Sequence, residues 1–95
     1  IYQTLTQHAF KKELIMNKFI AQWTEDASKL LLNKTIVEVR YMTDEEQTSM
    51  HWDSKPIILI LNDGTAIYPS RDDEGNDGGA LFTSSEDLPT IPVIR

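Results

Sequence analysis

The spacing of apolar residues changes from three and four to two near residue 35, and this change constrains the fold more than any other feature. Before it, large apolar side chains recur at helical spacing between Leu14 and Leu31, which predicts an amphipathic helix over about residues 10–32. Trp23 lies on this stripe, and we expect it to anchor the helix in the core. After the change, residues 36–42 alternate and are rich in β-branched side chains, so they predict a strand.

Two local patterns predict the elements that come next. Thr43 and Glu46 have the spacing of a capping box, which predicts a short helix over about residues 44–50. Pro56 then precedes a continuous apolar run, Ile57–Leu61. Proline is tolerated at the first position of a strand, and an apolar run of this length is typical of a buried strand.

Three further strands complete the predicted order of elements. Asp63-Gly64 predicts a two-residue hairpin turn in which both residues have positive φ. Residues 65–68 form the return strand of that hairpin. Residues 80–83 and 91–94 are short strands, and the last lies at an edge because Pro92 removes one ladder donor.

One helix followed by five short strands predicts an α+β fold. We expect an N-terminal amphipathic helix, residues 16–33, and a five-stranded SH3-like antiparallel barrel, residues 34–95, because closure hides strand edges. The alternative is an open antiparallel sheet with the helix on one face. Residues 1–15 are either an extension before a natural start at Met16 or ordinary sequence of the same single domain.

Charge is unevenly divided along the 95 residues, whose net charge is −6. Residues 1–34 carry a net +2 and residues 35–95 a net −8. An acidic domain repels phosphate, which argues against direct nucleic-acid binding. No apolar run is long enough to cross a membrane, and cysteine is absent, so we expect a cytoplasmic protein without disulfides or thiolate chemistry.

The most distinctive segment is the acidic, glycine-rich stretch from Arg71 to Ala80. Four carboxylates fall within residues 72–77, and glycines interrupt and follow them. Such a loop repels itself unless a cation, an arginine or backbone N–H groups compensate its charge. The structural interpretation is a solvated loop whose acids cap N–H groups or pair with Arg71.

Metal binding is the chemical alternative for the loop. Its oxygen ligands suit calcium or magnesium, with Asp73 and Asp77 as the first candidate ligands. The EF-hand pattern fails, however, because Gly75 stands where a carboxylate or amide belongs and Ser84 where glutamate belongs. No nucleophile elbow or phosphate loop is present, so the balance favours a protein that is not an enzyme.

The chain resembles a family of small uncharacterised bacterial and phage proteins over about residues 32–95. The resemblance rests on Lys34–Thr43, on Trp52, on Asn62–Thr65 with Tyr68–Ser70, and above all on the string from Asp72 to Phe82, DDEGNDGGALF. That family has no assigned activity, so the resemblance implies no catalytic residues. It does imply that the acidic loop belongs to a shared design.

We therefore predict a non-enzymatic acidic β-barrel that binds a partner protein through a loop at residues 70–79. Its negative charge favours a partner with a basic patch, and either the last strand or the helix stripe offers a route to a homodimer. The alternatives are a calcium- or magnesium-binding module or minor metal-dependent hydrolase, and an acidic mimic of nucleic acid. The predicted binding residues are Arg71, Asp72, Asp73, Glu74, Asn76, Asp77, His51, Trp52 and Tyr68.

Overall fold

The chain consists of two compact units in a computed structural model that describes the backbone of residues 7–95 and the side chains of residues 17–95. The first unit ends at Asn33 and the second begins at Lys34. A single long helix makes up the described part of the first unit. The second unit contains one short helix and five strands, so the α+β class predicted from the sequence is confirmed.

Helix α1, Gln7–Leu31, begins earlier than the spacing of large apolar residues predicted. It ends where expected, because Asn33 adopts a left-handed conformation with φ 63° that stops the helix. Of the predicted extension, residues 1–6 lie outside the described residues and the rest is the first part of α1. Trp23 is 72% exposed, so its expected role as a core anchor is not confirmed.

Three antiparallel strands form the main sheet of the second unit: β1, Ile36–Tyr41; β2, Ile57–Leu61; and β3, Ala66–Ile67. The strand order is β1-β2-β3. A register shift between Ile36 and Glu38 leaves a bulge at the start of β1. Because β2 pairs with both other strands, it lies in the centre of the sheet. Its residues Ile57, Ile58 and Leu61 are buried, as the apolar sequence predicts.

Helix α2, Asp44–Met50, joins β1 to β2 and confirms the predicted capping box. The Thr43 hydroxyl accepts from the Glu46 N–H, and the Glu46 carboxylate accepts from the Thr43 N–H at 2.8 Å. Arg40 adds two bonds to the same carboxylate, at 2.7 and 3.0 Å. The bonds from Arg40 first, and from the Thr43 N–H second, lower the pKa of Glu46 to about 2.

The turn between β2 and β3 differs from the predicted two-residue hairpin. Gly64 has a φ of +88°, but Asp63 is not in the left-handed region. Hydrogen bonds from Gly64 N–H to Leu61 O and from Leu61 N–H to Thr65 O enclose a three-residue loop, each at 2.9 Å. The prediction of two positive φ values was wrong because a three-residue loop needs a left-handed residue only at Gly64. Asp63 instead accepts the Thr65 N–H and pairs with Lys34.

Strands β4, Leu81–Phe82, and β5, Thr90–Ile91, form a separate two-stranded antiparallel sheet. A bridge between Lys55 and Ile94 links the C-terminal segment to the residues just before β2. Among the described residues the strands form two small sheets and no closed barrel. The architecture is thus one long helix and small antiparallel sheets, and the SH3-like closure is not confirmed.

The core of the second unit consists of residues on β2 and on the segments that flank α2. Met42, Trp52 and Ile58 pack together there, and Ile60 packs against them. Pro56 is fully buried. Within the described part of the chain, neither helix combines the length and apolar character that crossing a bilayer would require.

Gly78→Ala should destabilise the second unit because its backbone packs directly on the buried Pro56. A Cβ at residue 78 would lie 2.7 Å from the proline Cδ, and overpacking of this kind costs about 1–3 kcal/mol. Urea unfolding followed by circular dichroism measures the change. Gly75→Asn is the control, because Gly75 has open space around it and asparagine tolerates its φ of +72°. Equal midpoints for both variants and the parent would contradict this packing.

Acid should unfold the second unit partly through Glu46. A carboxylate whose pKa is lower in the folded state stabilises the fold fully above its unfolded pKa, which is near 4.5, and loses this effect as the pH falls toward 2. The melting temperature should therefore be nearly constant from pH 7 to 5 and then fall. Glu46→Gln should melt lower at pH 7 and approach the parent at pH 2.

Glu45→Gln is the matched control, since Glu45 is an exposed neighbour in the same helical turn. Its melting curve should run parallel to that of the parent at every pH. If Glu46→Gln also ran parallel to the parent, its ion pair with Arg40 would not contribute to stability.

Candidate functional site

The acidic loop, residues 70–79, is closed by pairing between its two ends. Ser70 and Gly78 form an antiparallel bridge. The Arg71 N–H donates to Asp77 O, and the Gly79 N–H donates to Pro69 O, each at 3.0 Å. The loop is therefore a short closed hairpin, not an open excursion of the chain.

Asp72 organises the tip of the acidic loop. Its Oδ1 accepts the N–H groups of Glu74 and Asn76 at 3.0 and 3.2 Å, and its Oδ2 accepts the Asn76 side-chain amide at 2.8 Å. The Asn76 bonds are the main reason that the pKa of Asp72 is lowered. Gly75 allows the tight turn between them, with a φ of +72°. The Asp72 carboxylate thus stabilises the conformation of the loop tip.

Asp77 fastens the acidic loop to the segment before β2. This side chain is only 9% exposed, and its Oδ1 accepts N–H bonds from Gly78, Ser54 and Asp53 at 2.8, 3.0 and 3.1 Å. Burial acts to raise the pKa of Asp77, but the three N–H bonds outweigh it and the pKa is lowered. Asp77 is therefore an ionised structural anchor whose lone pairs are largely occupied.

Trp52 makes the second link between the loop and the core. The indole is 6% exposed and its Nε1–H donates to Gly75 O at 2.6 Å. The same ring forms an edge-to-face pair with Tyr68, with centroids 5.8 Å apart. An aromatic ring of the core thus holds the tip of the loop, and Tyr68 packs against that ring.

The other predicted residues lie at the surface. Arg71 is exposed, and its Nε is 3.8 Å from Asp72 Oδ2. Asp73 and Glu74 are exposed at the tip of the loop. His51 is also exposed, where it ends α2 in a left-handed conformation with φ 60°. Its N–H donates to Thr48 O at 3.1 Å, so the role that the structure gives His51 is that of a helix cap.

The described residues contain no group of three or more His, Asp or Glu side chains arranged to hold a metal ion. Asp77 directs Oδ1 at three N–H donors, which carry the same sign of partial charge as a cation. Asp73 and Asp77 also differ in setting, one exposed and the other buried. The calcium or magnesium site therefore stays a prediction.

Sequence reasoning missed two residues that hold the loop in place. Ser54 is buried and gives Asp77 both its N–H and, at 3.5 Å, its hydroxyl. Ser70 donates its hydroxyl to Asp77 O at 3.1 Å. Ser54 is 23 residues from Asp77, and no short-range pattern signals a contact of that separation. Ser70 is nearer, but a serine in a polar turn is too common to indicate one partner.

No protein-family model matches the chain, and no curated protein or solved structure is significantly similar to it.

Asp77→Ala should unfold the loop and its anchor, because it leaves three N–H groups at a buried site without their acceptor. We expect the melting temperature to fall by roughly 10 °C for a unit of this size. Asp77→Asn retains one acceptor oxygen and should fall less. Asp73→Ala removes an exposed charge from the same loop and is the matched control, with no more than a small shift. Similar melting for the alanine variants at both positions would contradict the anchoring role.

Proposed function

We propose that the protein is a non-enzymatic binding module that presents the exposed acids of loop 70–79 to a basic segment of a partner protein. The proposal rests on the different environments of the four acids in the loop. Asp72 and Asp77 accept backbone N–H groups that shape and anchor the loop, whereas Asp73 and Glu74 are exposed at its tip, where Glu74 Oε2 accepts the Asn76 side-chain amide at 3.2 Å.

Pre-organisation is the physical advantage of this arrangement. A loop that orders only on binding loses conformational entropy at that moment, and this cost lowers affinity. The tip between Asp72 and Asn76 is already fixed by the Asp72 carboxylate and by Trp52. Its exposed charges can therefore meet a cationic side chain without that additional cost.

The strength of such binding is limited by solvent. Exposed ion pairs contribute about 0.2–1 kcal/mol each and weaken in salt. Two exposed acids on the loop therefore support a modest affinity that the surrounding negative charge of residues 35–95 reinforces. This predicts a transient, salt-sensitive interaction.

The other predicted features enter as proposals of the same kind. The bridge between Lys55 and Ile94 supports an SH3-like closure of the two sheets. Membership of the small bacterial and phage family, the cytoplasmic location and the homodimer stay predictions. The two alternative functions require different ligands. Metal binding requires a divalent ion, and mimicry of nucleic acid requires a DNA-binding partner.

Neutralising the exposed loop acids should weaken binding to a basic probe. We expect Asp73→Asn with Glu74→Gln to raise the Kd for fluorescein-labelled hexalysine roughly three- to tenfold, the equivalent of two exposed ion pairs. Fluorescence polarisation at low salt, with EDTA present, measures this and removes divalent ions as an explanation.

The matched control is Glu86→Gln with Asp87→Asn, which removes the same charge from another exposed turn. Its Kd should change less than about twofold, as expected for charges away from the contact. Equal weakening by both double variants would mean that net charge alone attracts the probe. That result, or no binding of hexalysine to the parent, would overturn the proposed function.

A further inference from the structure

A second feature of the same unit is an apolar cleft between α2 and the main sheet, with a volume of about 180 Å³. Met42 and Ile58 are buried within it. Met50 and Tyr68, each 38% exposed, line it nearer the surface. Ala66 on β3 also lines the cleft. The lining is therefore mainly aliphatic, thioether and aromatic.

The size of the cleft restricts what can occupy it. Sites for cofactors and drug-sized ligands usually enclose about 300–1,000 Å³. A cleft of about 180 Å³ is below that range, but it has room for one apolar side chain. Methionine adapts its shape to irregular partners, and the tyrosine ring offers a flat apolar contact. These properties suit an anchor side chain from another protein.

The one carboxylate that lines the cleft is already committed. Glu46 receives two bonds from Arg40 and one from the Thr43 N–H, at distances of 2.7–3.0 Å. Those bonds fix the carboxylate and offset its charge. Glu46 therefore helps to hold the wall of the cleft and leaves its apolar surface as the part available to a partner.

The cleft and the acidic loop share one aromatic pair. Tyr68 lines the cleft and forms an edge-to-face pair with Trp52, with ring centroids 5.8 Å apart. Trp52 in turn donates to Gly75 O in the loop. An extended segment of a partner protein spans about 3.3 Å per residue. When one of its side chains occupies the cleft, residues a few positions away along the segment can reach the loop.

We propose that the cleft binds one leucine or methionine side chain of a partner segment that carries lysine or arginine on both sides of it. The choice of basic neighbours rests on the proposed function of the loop. It also follows from charge complementarity, because residues 35–95 carry a net −8. The apolar anchor rests on the cleft alone.

The experiment compares two fluorescein-labelled seven-residue peptides, one with a central leucine flanked by lysines and one with serine in its place. The parent protein should bind the leucine peptide about tenfold more tightly in fluorescence polarisation, as expected for partial burial of one leucine side chain. Ala66→Phe fills the cleft and should abolish this preference. Val39→Phe, at an exposed strand position that does not line the cleft, should retain it.

Met50→Ser is a second variant in case Ala66→Phe does not fold, since Met50 lines the cleft but is 38% exposed. It should reduce the preference for leucine about threefold, and thermal melting checks that each variant is folded. Loss of the preference in the cleft variants but not in Val39→Phe supports the proposal. Equal binding of both peptides to the parent overturns it.

Loop variants separate this inference from the proposed function. If both peptides bind equally and Asp73→Asn with Glu74→Gln weakens both, the loop function stands and the cleft proposal fails. If the leucine preference depends on Ala66 but the loop variant has no effect, the cleft proposal stands and the loop function fails. Binding of neither peptide overturns both.

Discussion

The hydrogen bonds of the Asp77 carboxylate are the interaction on which the second unit depends. A buried charge is costly unless donors satisfy it, and here three backbone N–H groups do so. Two of them belong to Asp53 and Ser54, so one carboxylate joins segments that lie 23 and 24 residues apart. This link brings Gly78 against Pro56 and places the loop tip beside Trp52.

The bonds that anchor the loop change how its acidic sequence is interpreted. Four carboxylates in six residues suggest a cation site, but two of them act as acceptors for the protein's own N–H groups. Their lowered pKa values reflect these bonds, so the low pKa values in this loop have a structural cause. Asp73 and Glu74 lie exposed at the tip, and Glu74 also accepts the Asn76 side-chain amide.

Local patterns predicted local structure well. The capping box at Thr43 and the strand at Ile57–Leu61 were both confirmed, because each is determined by neighbours in the sequence. The two-residue turn was wrong because Asp-Gly also suits a three-residue loop, which needs a positive φ only at Gly64. Burial of Trp23 was not confirmed, since periodicity defines the apolar face of a helix but not what covers it. The site depended on the pairing of Asp77 with Ser54, which sequence spacing does not encode.

Trp52 links the core of the unit to the cleft and to the acidic loop. The same indole packs in the core, contacts Tyr68 beside the cleft and holds the loop through Gly75 O. A change inside this network should therefore alter the core, the cleft and the loop together. The acids at the exposed tip make no such contribution to the core. Substitutions at Asp73 and Glu74 should therefore leave the framework of the unit intact.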